Sequence, residues 1–259
     1  MPSVWSALLH LARFTLQEAL RERLIRTTLL MIGLGWVLAV YLDPLFLIET
    51  EMAQVAILGF LLRLGAVFQM AVLVTFAVSR DIQRRGIDML LALPLPRSVL
   101  FLGKLGGFAL AALLLALVSG LALLPFAPFG QVWLWCMTLA GELTLIAALS
   151  LLLAQSITHA TLALTLTAGF YLLARSMETF LLLARQAAHA DPHWTNVAAQ
   201  QALAFIAGFL PSLQRFTVTD WLVYHTGSVR DLVTIGITTV IYLFLLTIIG
   251  LIDIHKKEF

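Results

Sequence analysis

The sequence predicts an all-α integral membrane protein with six transmembrane helices. Of the 259 residues, 61% are hydrophobic and only 12% are charged, whereas soluble domains usually carry about 25% charged residues. The apolar residues are also gathered in runs close to the ~20 residues that a helix needs to cross the hydrocarbon core. No linker or low-complexity tract divides the chain, so we expect residues 1–259 to form a single transmembrane domain.

An amphipathic helix is expected before the first span, over residues 3–24. Arg13, Gln17 and Arg21 follow one side of it, opposite an apolar side. Such a helix lies in the membrane interface; a solvated helix is the alternative. Glu18 and Glu22 among its arginines are not typical of a cleaved signal peptide, so we expect the segment to be retained. The apolar side is formed by Trp5, Leu8, Leu9, Ala12, Leu16, Ala19 and Leu20.

Six apolar runs follow, and each is predicted to cross the membrane. A long segment, residues 185–230, separates the last two. It contains a helical run before Pro211 that is too short to span, so we expect an external helical segment that lies on the surface or dips into the membrane. The predicted spans are residues 27–41 or 27–48, 58–79, 105–124, 132–154, 160–183 and 232–252.

The distribution of Lys and Arg predicts the orientation. An even number of spans places both termini on one side, and that side also carries the connection between the second and third spans. Eleven of the 16 Lys and Arg residues fall there, which predicts cytoplasmic N- and C-termini by the positive-inside rule. The other five are Arg63, Arg175, Arg185, Arg215 and Arg230.

The connection between the second and third spans, residues 80–104, has the densest charge in the sequence. Its middle, residues 87–93, is an apolar helical run bounded by Gly86 and Pro94. In water this run would be an exposed hydrophobic patch. We therefore expect the membrane interface to cover one side of it and a partner protein the other.

This connection resembles the segment between the second and third spans of ABC-2-type ABC transporter permeases. The shared pattern is an acid, Gly, an acid and Leu-Leu, followed by Pro, Arg and Gly-Lys. The family more often has Glu at both acidic positions and Thr after the Gly, where this chain has Asp and Ile. The matching residues are Asp81, Gly86, Asp88, Leu90, Leu91, Pro94, Arg97, Gly103 and Lys104.

The resemblance implies a membrane-spanning subunit of an ABC exporter in the bacterial inner membrane. Such a subunit works as a dimer with a second permease copy or homologue. Its coupling helix docks on a separate cytoplasmic ATPase subunit, which would bind ATP and Mg. No Walker A pattern occurs in this chain, so we expect no enzymatic activity and no cofactor in it. The expected ATPase-coupling residues are Arg84, Arg85, Gly86, Ile87, Asp88, Met89, Leu90, Leu91, Pro94 and Arg97.

Four ionisable residues fall inside or near the ends of predicted spans: Arg63, Glu142, Arg175 and Glu178. Such groups cost several kcal/mol in hydrocarbon unless they are paired or hydrated. Arg175 and Glu178 have the spacing of a pair on one helix face. Two interpretations stay open: a polar lining of the substrate path with Glu142 as a proton-coupling acid, or a structural charge network between helices.

Metal, disulfide and nucleic-acid functions have little support. His189, Asp191 and His193 offer imidazole and carboxylate groups that suit zinc or copper, but Pro192 interrupts them and we expect no metal site. Cys136 is the only cysteine, which excludes an internal disulfide. The basic residues lie near span ends without a basic patch, so membrane lipids are expected as partners and nucleic acid is not.

Two functions of other classes remain as alternatives. An ion-coupled secondary transporter would use Glu142 as its coupling acid and would need an ion gradient without any ATPase. A non-transporting scaffold subunit would bind a partner that lacks ATPase activity.

Overall fold

The computed structural model describes residues 4–21, 24–42, 50–83, 97–190 and 194–256. These ranges contain nine α-helices, one 3-10 turn at Leu213–Arg215 and no strand, which confirms the all-α prediction. The helices are α1 Val4–Arg21, α2 Leu24–Leu42, α3 Thr50–Gln83, α4 Arg97–Leu121, α5 Phe129–Ser156, α6 Ala160–Ala190, α7 Trp194–Phe209, α8 Asp220–Tyr224 and α9 Val229–Lys256.

Five of the helices in the described ranges, α3, α4, α5, α6 and α9, are long and apolar enough to cross a membrane. A sixth crossing is reached if α7 and the chain to Tyr224 form one broken span, which is bent by 67°. The described part of the chain is therefore all-helical, with five to six helices compatible with a multi-pass membrane protein. The first predicted span, residues 27–41, falls within α2, whose described side chains form a shorter apolar helix, Arg26–Leu38.

The helices extend beyond the apolar runs that predict them. The second predicted span starts at residue 58, whereas α3 starts at Thr50; the fifth ends at residue 183, whereas α6 ends at Ala190. Apolar runs mark the part of a helix that suits hydrocarbon, but backbone hydrogen bonding continues through the polar flanks until a break occurs. The first residues of the predicted external segment, 185–230, thus belong to α6.

The core is organised around α5, which packs against α3, α4, α6 and α9. Its buried residues lie on all sides of the helix, as expected for a helix surrounded by others. The outer helices differ, because α6 and α9 expose long apolar faces. Such faces are unfavourable in water and suit a lipid environment. The largest fully buried side chains of α5 are Trp135, Leu139, Leu143, Ile146 and Leu151.

Helix α1 packs closely against α4. A Cβ atom added to Gly107 would lie 2.5 Å from the Thr15 Cβ and 2.7 Å from the Ala12 carbonyl oxygen, and one added to Gly103 would lie 2.4 Å from Leu11 Cδ2. Glycines four residues apart let two helices approach to backbone contact. The predicted apolar side of this helix is therefore divided, since Ala12 faces α4 while Trp5 is exposed.

Candidate functional site

A cluster of buried charges joins three helices and the segment between α7 and α8. Glu142 of α5 is 0% exposed. Its Oε2 accepts a hydrogen bond from Thr217 Oγ1 at 2.5 Å, and its Oε1 lies 3.7 Å from Arg175 Nη1 of α6. Arg63 of α3 donates to the Thr217 carbonyl oxygen at 3.1 Å. Glu142, Arg175, Arg63 and Thr217 are hereafter called the charge cluster.

The two arginines of the charge cluster hold the chain around the 3-10 turn. Arg175 Nη1 donates to the carbonyl oxygens of Leu213 and Phe216, the latter at 2.9 Å, and Arg63 donates to that of Thr217. Buried carbonyl groups outside a regular helix need donors from elsewhere, because no intrahelical partner is available. The guanidinium groups supply these donors and so fix the turn to α3 and α6.

Thr217 has an unusual backbone conformation. Its φ is 45°, in the left-handed region that a β-branched residue rarely adopts. Its side chain is 0% exposed, and both its hydroxyl and its carbonyl are held by the charge cluster. Residues in such conformations persist where the surrounding structure over-determines them. The hydrogen bonds with Glu142 and Arg63 hold Thr217 in this conformation.

Some hydrogen-bonding capacity of the charge cluster is unused. Glu142 Oε1 and Arg63 Nε are buried without a hydrogen-bond partner, since 3.7 Å to Arg175 is an ion-pair distance and too long for a hydrogen bond. The buried Tyr171 side chain of α6 lies close enough to Glu142, Arg63 and Arg175 to interact with all three charges. The arrangement can tie α3, α5 and α6 together electrostatically through the contacts of Glu142, Arg175 and Arg63.

Glu178 lies outside the charge cluster. The spacing of Arg175 and Glu178 favours a pair on one helix face, but Arg175 instead reaches Glu142 and the turn carbonyls. A buried carboxylate and buried carbonyls need a donor more than a half-exposed Glu178 does. Glu178 lines a hollow of about 250 Å³ between α6 and the chain after α7, together with Arg185 and Arg215.

Sequence reasoning did not find Thr217. Glu142 and the two arginines stand out as charges in apolar runs, whereas a threonine after Phe216 carries no such signal. Its role depends on a contact with a residue 75 positions away. Only its place in a short stretch between two helices, after Pro211, marks it as non-helical.

A second group of contacts lies at the ends of α3 and α4, on either side of residues 84–96. Lys104 Nζ of α4 donates to Asp81 Oδ2 of α3 at 2.6 Å. Arg80 Nη2 of α3 lies 3.3 Å from Glu18 Oε1 of α1. Asp81 and Lys104 are both residues on which the family resemblance rests. These two ion pairs join α1, α3 and α4 at the point where the chain leaves α3.

The turn between α5 and α6 lies at the same end of the bundle. Ser79 and Gln83 of α3 line a hollow of about 360 Å³ together with residues 155–159. Ser156 Oγ donates to Asp253 Oδ2 of α9 at 2.9 Å. One end of the bundle therefore brings together α1, the facing ends of α3 and α4, the turn at residues 155–159 and the end of α9.

Several predicted site residues lie outside the described part of the chain: Arg84, Arg85, Gly86, Ile87, Asp88, Met89, Leu90, Leu91, Pro94, Asp191 and His193. Arg97 is the first residue of α4. His189 is exposed at the end of α6, with Nδ1 2.7 Å from the Arg185 carbonyl oxygen. Within the described ranges no group of three or more His, Cys, Asp or Glu side chains could hold a metal ion.

Comparison with known protein families finds no family model that matches the chain, and comparison with curated proteins finds no matching relative. The features that bear on function are the helices compatible with a membrane, the paired residues at the ends of α3 and α4, and the charge cluster.

Proposed function

We propose that this chain is the permease subunit of an ABC exporter, in which a separate cytoplasmic ATPase subunit drives substrate movement. The observation that carries the proposal is the ion pair between Asp81 and Lys104, 2.6 Å long. These two residues belong to the pattern that resembles ABC-2 permeases, and their pairing joins the two helices that flank residues 84–96. That connection is where the ATPase would dock.

The paired ends of α3 and α4 allow a displacement of the docked segment to reach the membrane helices. ATP binding closes the ATPase subunits, and the docked segment moves with them. Because Asp81 and Lys104 join α3 to α4, the displacement reaches both helices together. Helix α1 follows, since Glu18 contacts Arg80 and the close packing at Gly107 holds α1 against α4. The coupling unit thus consists of three helices.

Helix α3 also connects this end to the charge cluster. Arg80 and Arg63 are separated by 17 residues, or about 26 Å along a helix. Arg63 holds the Thr217 carbonyl, so a shift of α3 at Arg80 displaces the turn between α7 and α8. In the proposed exporter this turn lies on the outer side, and its displacement opens the exit.

A second contact with the ATPase is proposed at residues 155–159. This turn borders the hollow beside Ser79 and Gln83, next to the place where the docked segment begins. Orientation in the bacterial inner membrane with cytoplasmic termini is part of the same proposal. So is assembly with a second permease copy or homologue.

The test is detachment of the ATPase. Full-length tagged protein is purified from its native membranes, and ATP hydrolysis in the purified fraction is measured for wild type and for Leu90→Asp with Leu91→Asp. We expect the double variant to lose the hydrolysis while it retains its expression level and monodispersity. Leu124→Asp, in the turn between α4 and α5 at the opposite end of the bundle, is the control and should retain hydrolysis. Wild-type fractions without ATPase, or undiminished ATPase in the double variant, would refute the proposal.

An ion-coupled transporter is the second candidate, because Glu142 is a fully buried carboxyl group in the middle of an apolar helix. Glu142→Gln keeps the acceptor for Thr217 and removes the titrating group. If transport depends on an ion gradient, needs no ATPase and stops in this variant while the protein stays folded, the second candidate replaces the first.

A further inference from the structure

An apolar cleft of about 480 Å³ opens between α3 and α6. Its floor is formed by Ile146 of α5 and Ala71 of α3, and its outer edges by Phe68 and Leu172. The floor residues are buried, whereas Phe68 and Leu172 are 60% and 61% exposed. The cleft is therefore a recess in the side of the bundle, open in the direction that α3 and α6 present to their surroundings.

The lining is apolar except for two hydroxyl groups. Its hydroxyl groups are those of Thr167 and Tyr171. Thr167 already donates to the Ala163 carbonyl oxygen, and the Tyr171 side chain interacts with the charge cluster on the inner side. A cavity without free polar partners stays dry or takes an apolar occupant. Since α3 and α6 are both among the helices compatible with a membrane, the available apolar material is hydrocarbon.

The size of the cleft favours a single flexible chain. A helix with its side chains is about 10–12 Å across, so a partner helix does not fit into this recess. The volume falls within the range of ~300–1,000 Å³ typical of small-ligand pockets. One wall can adjust, because the Met31 thioether of α2 lies directly over Gly65, where an added Cβ would be 1.5 Å from the Met31 Cε. Methionine side chains fill irregular space readily.

We propose that this cleft is a binding site for one acyl chain of a bilayer lipid, with the chain seated against Ala168 and Tyr171. The occupant lies between α3 and α6, directly beside the charge cluster. The proposal does not depend on the ATPase, because it follows from the shape and chemistry of the cleft alone.

The test uses photoreactive phospholipids. Purified full-length protein is reconstituted in nanodiscs that contain a phospholipid with a diazirine in its acyl chain, irradiated, digested and mapped by mass spectrometry. We expect acyl-chain adducts on the cleft residues of α3 and α6 to exceed those on the exposed face of α9 around Ile241 and Phe244. A diazirine in the headgroup should not label the cleft.

Ala168→Phe places a ring in the cleft and should lower its labelling about tenfold, which corresponds to about 1.4 kcal/mol of lost acyl-chain binding. Gly169→Phe is the matched control, since a side chain there meets nothing within 4 Å, and it should label like wild type. Equal labelling of cleft and α9 in wild type, or protein–protein crosslinks in place of lipid adducts, would overturn the proposal even if Ala168→Phe fails to fold. So would undiminished cleft labelling in a folded Ala168→Phe protein.

Discussion

Thr217 donates its hydroxyl to the Glu142 carboxylate at 2.5 Å, although the two residues are 75 positions apart. The bond joins the central helix α5 to the short chain between α7 and α8, and both side chains are fully buried. A buried carboxylate is stable when charge-assisted hydrogen bonds replace its hydration. Each partner of this contact therefore constrains the other: Thr217 supplies a donor, and Glu142 holds Thr217 at a positive φ.

Replacing Thr217 by Val should destabilise the protein by about 1–3 kcal/mol, because a buried acceptor loses its donor. Valine keeps the branched shape, so the backbone strain is the same in both proteins. Thermal unfolding in detergent measures the difference. Thr144→Val is the control: its hydroxyl bonds only to the Ala140 carbonyl within α5, and we expect a change of less than about 0.5 kcal/mol. Equal losses in the two variants would contradict a specific role for Thr217.

Arg175→Gln should destabilise more than Glu142→Gln. The first change leaves a fully buried carboxylate without its paired cation, which costs about 3–5 kcal/mol. The second leaves a partly exposed guanidinium that still donates to two carbonyl groups. Thermal unfolding of both single variants and the double variant gives a coupling energy, and we expect the double variant to be more stable than the sum of the losses predicts.

Arg185→Gln, an exposed change on the same helix, is the control for that cycle and should have little effect. Additive losses in the double variant would show that Glu142 and Arg175 do not stabilise each other.

Gly107→Ala should loosen the contact between α1 and α4. The new methyl group would lie 2.7 Å from the Ala12 carbonyl oxygen, a backbone atom that cannot move without shifting α1. We expect a loss of about 1–3 kcal/mol and faster proteolysis of α1. Gly106→Ala is a close control, because its methyl group would lie 3.7 Å from the Ala12 Cβ, an ordinary contact. Similar behaviour of the two variants would argue against the close packing.

Exchanging the charges of Asp81 and Lys104 tests the pair at the ends of α3 and α4. Asp81→Lys alone places two cations together and should lower the unfolding temperature. Adding Lys104→Asp should restore it. The pair is partly exposed, so its contribution is expected to be about 1 kcal/mol or less and to weaken at high salt. No recovery in the double variant would contradict the pair.

The helices could be predicted from the sequence because apolar runs and helical spacing are local properties. The all-α fold, the long helices and the short turns after α4 and α5 follow from them. The break that separates α7 from α8 follows too, since Pro211 stops a helix.

The packing of the helices could not be predicted in the same way. Gly103 and Gly107 stand out only once α1 is known to lie on them. Arg175 has a suitable acid three residues away on its own helix, yet it pairs with Glu142 because burial makes an unpaired carboxylate more costly than an unpaired half-exposed Glu178. Which residues pair depends on the distances between helices, and these distances cannot be deduced from a local sequence pattern.

The length of α3 has a mechanical consequence. Its 34 residues extend about 51 Å, whereas the hydrocarbon core is ~30 Å thick. Even at the steepest tilt usually seen, about 40°, the helix would still cover about 39 Å along the membrane normal. In a bilayer, therefore, at least about 9 Å of α3 lies outside the hydrocarbon core, in the headgroup region. A displacement applied at one end of α3 would therefore be delivered outside the hydrocarbon core and carried along one continuous helix.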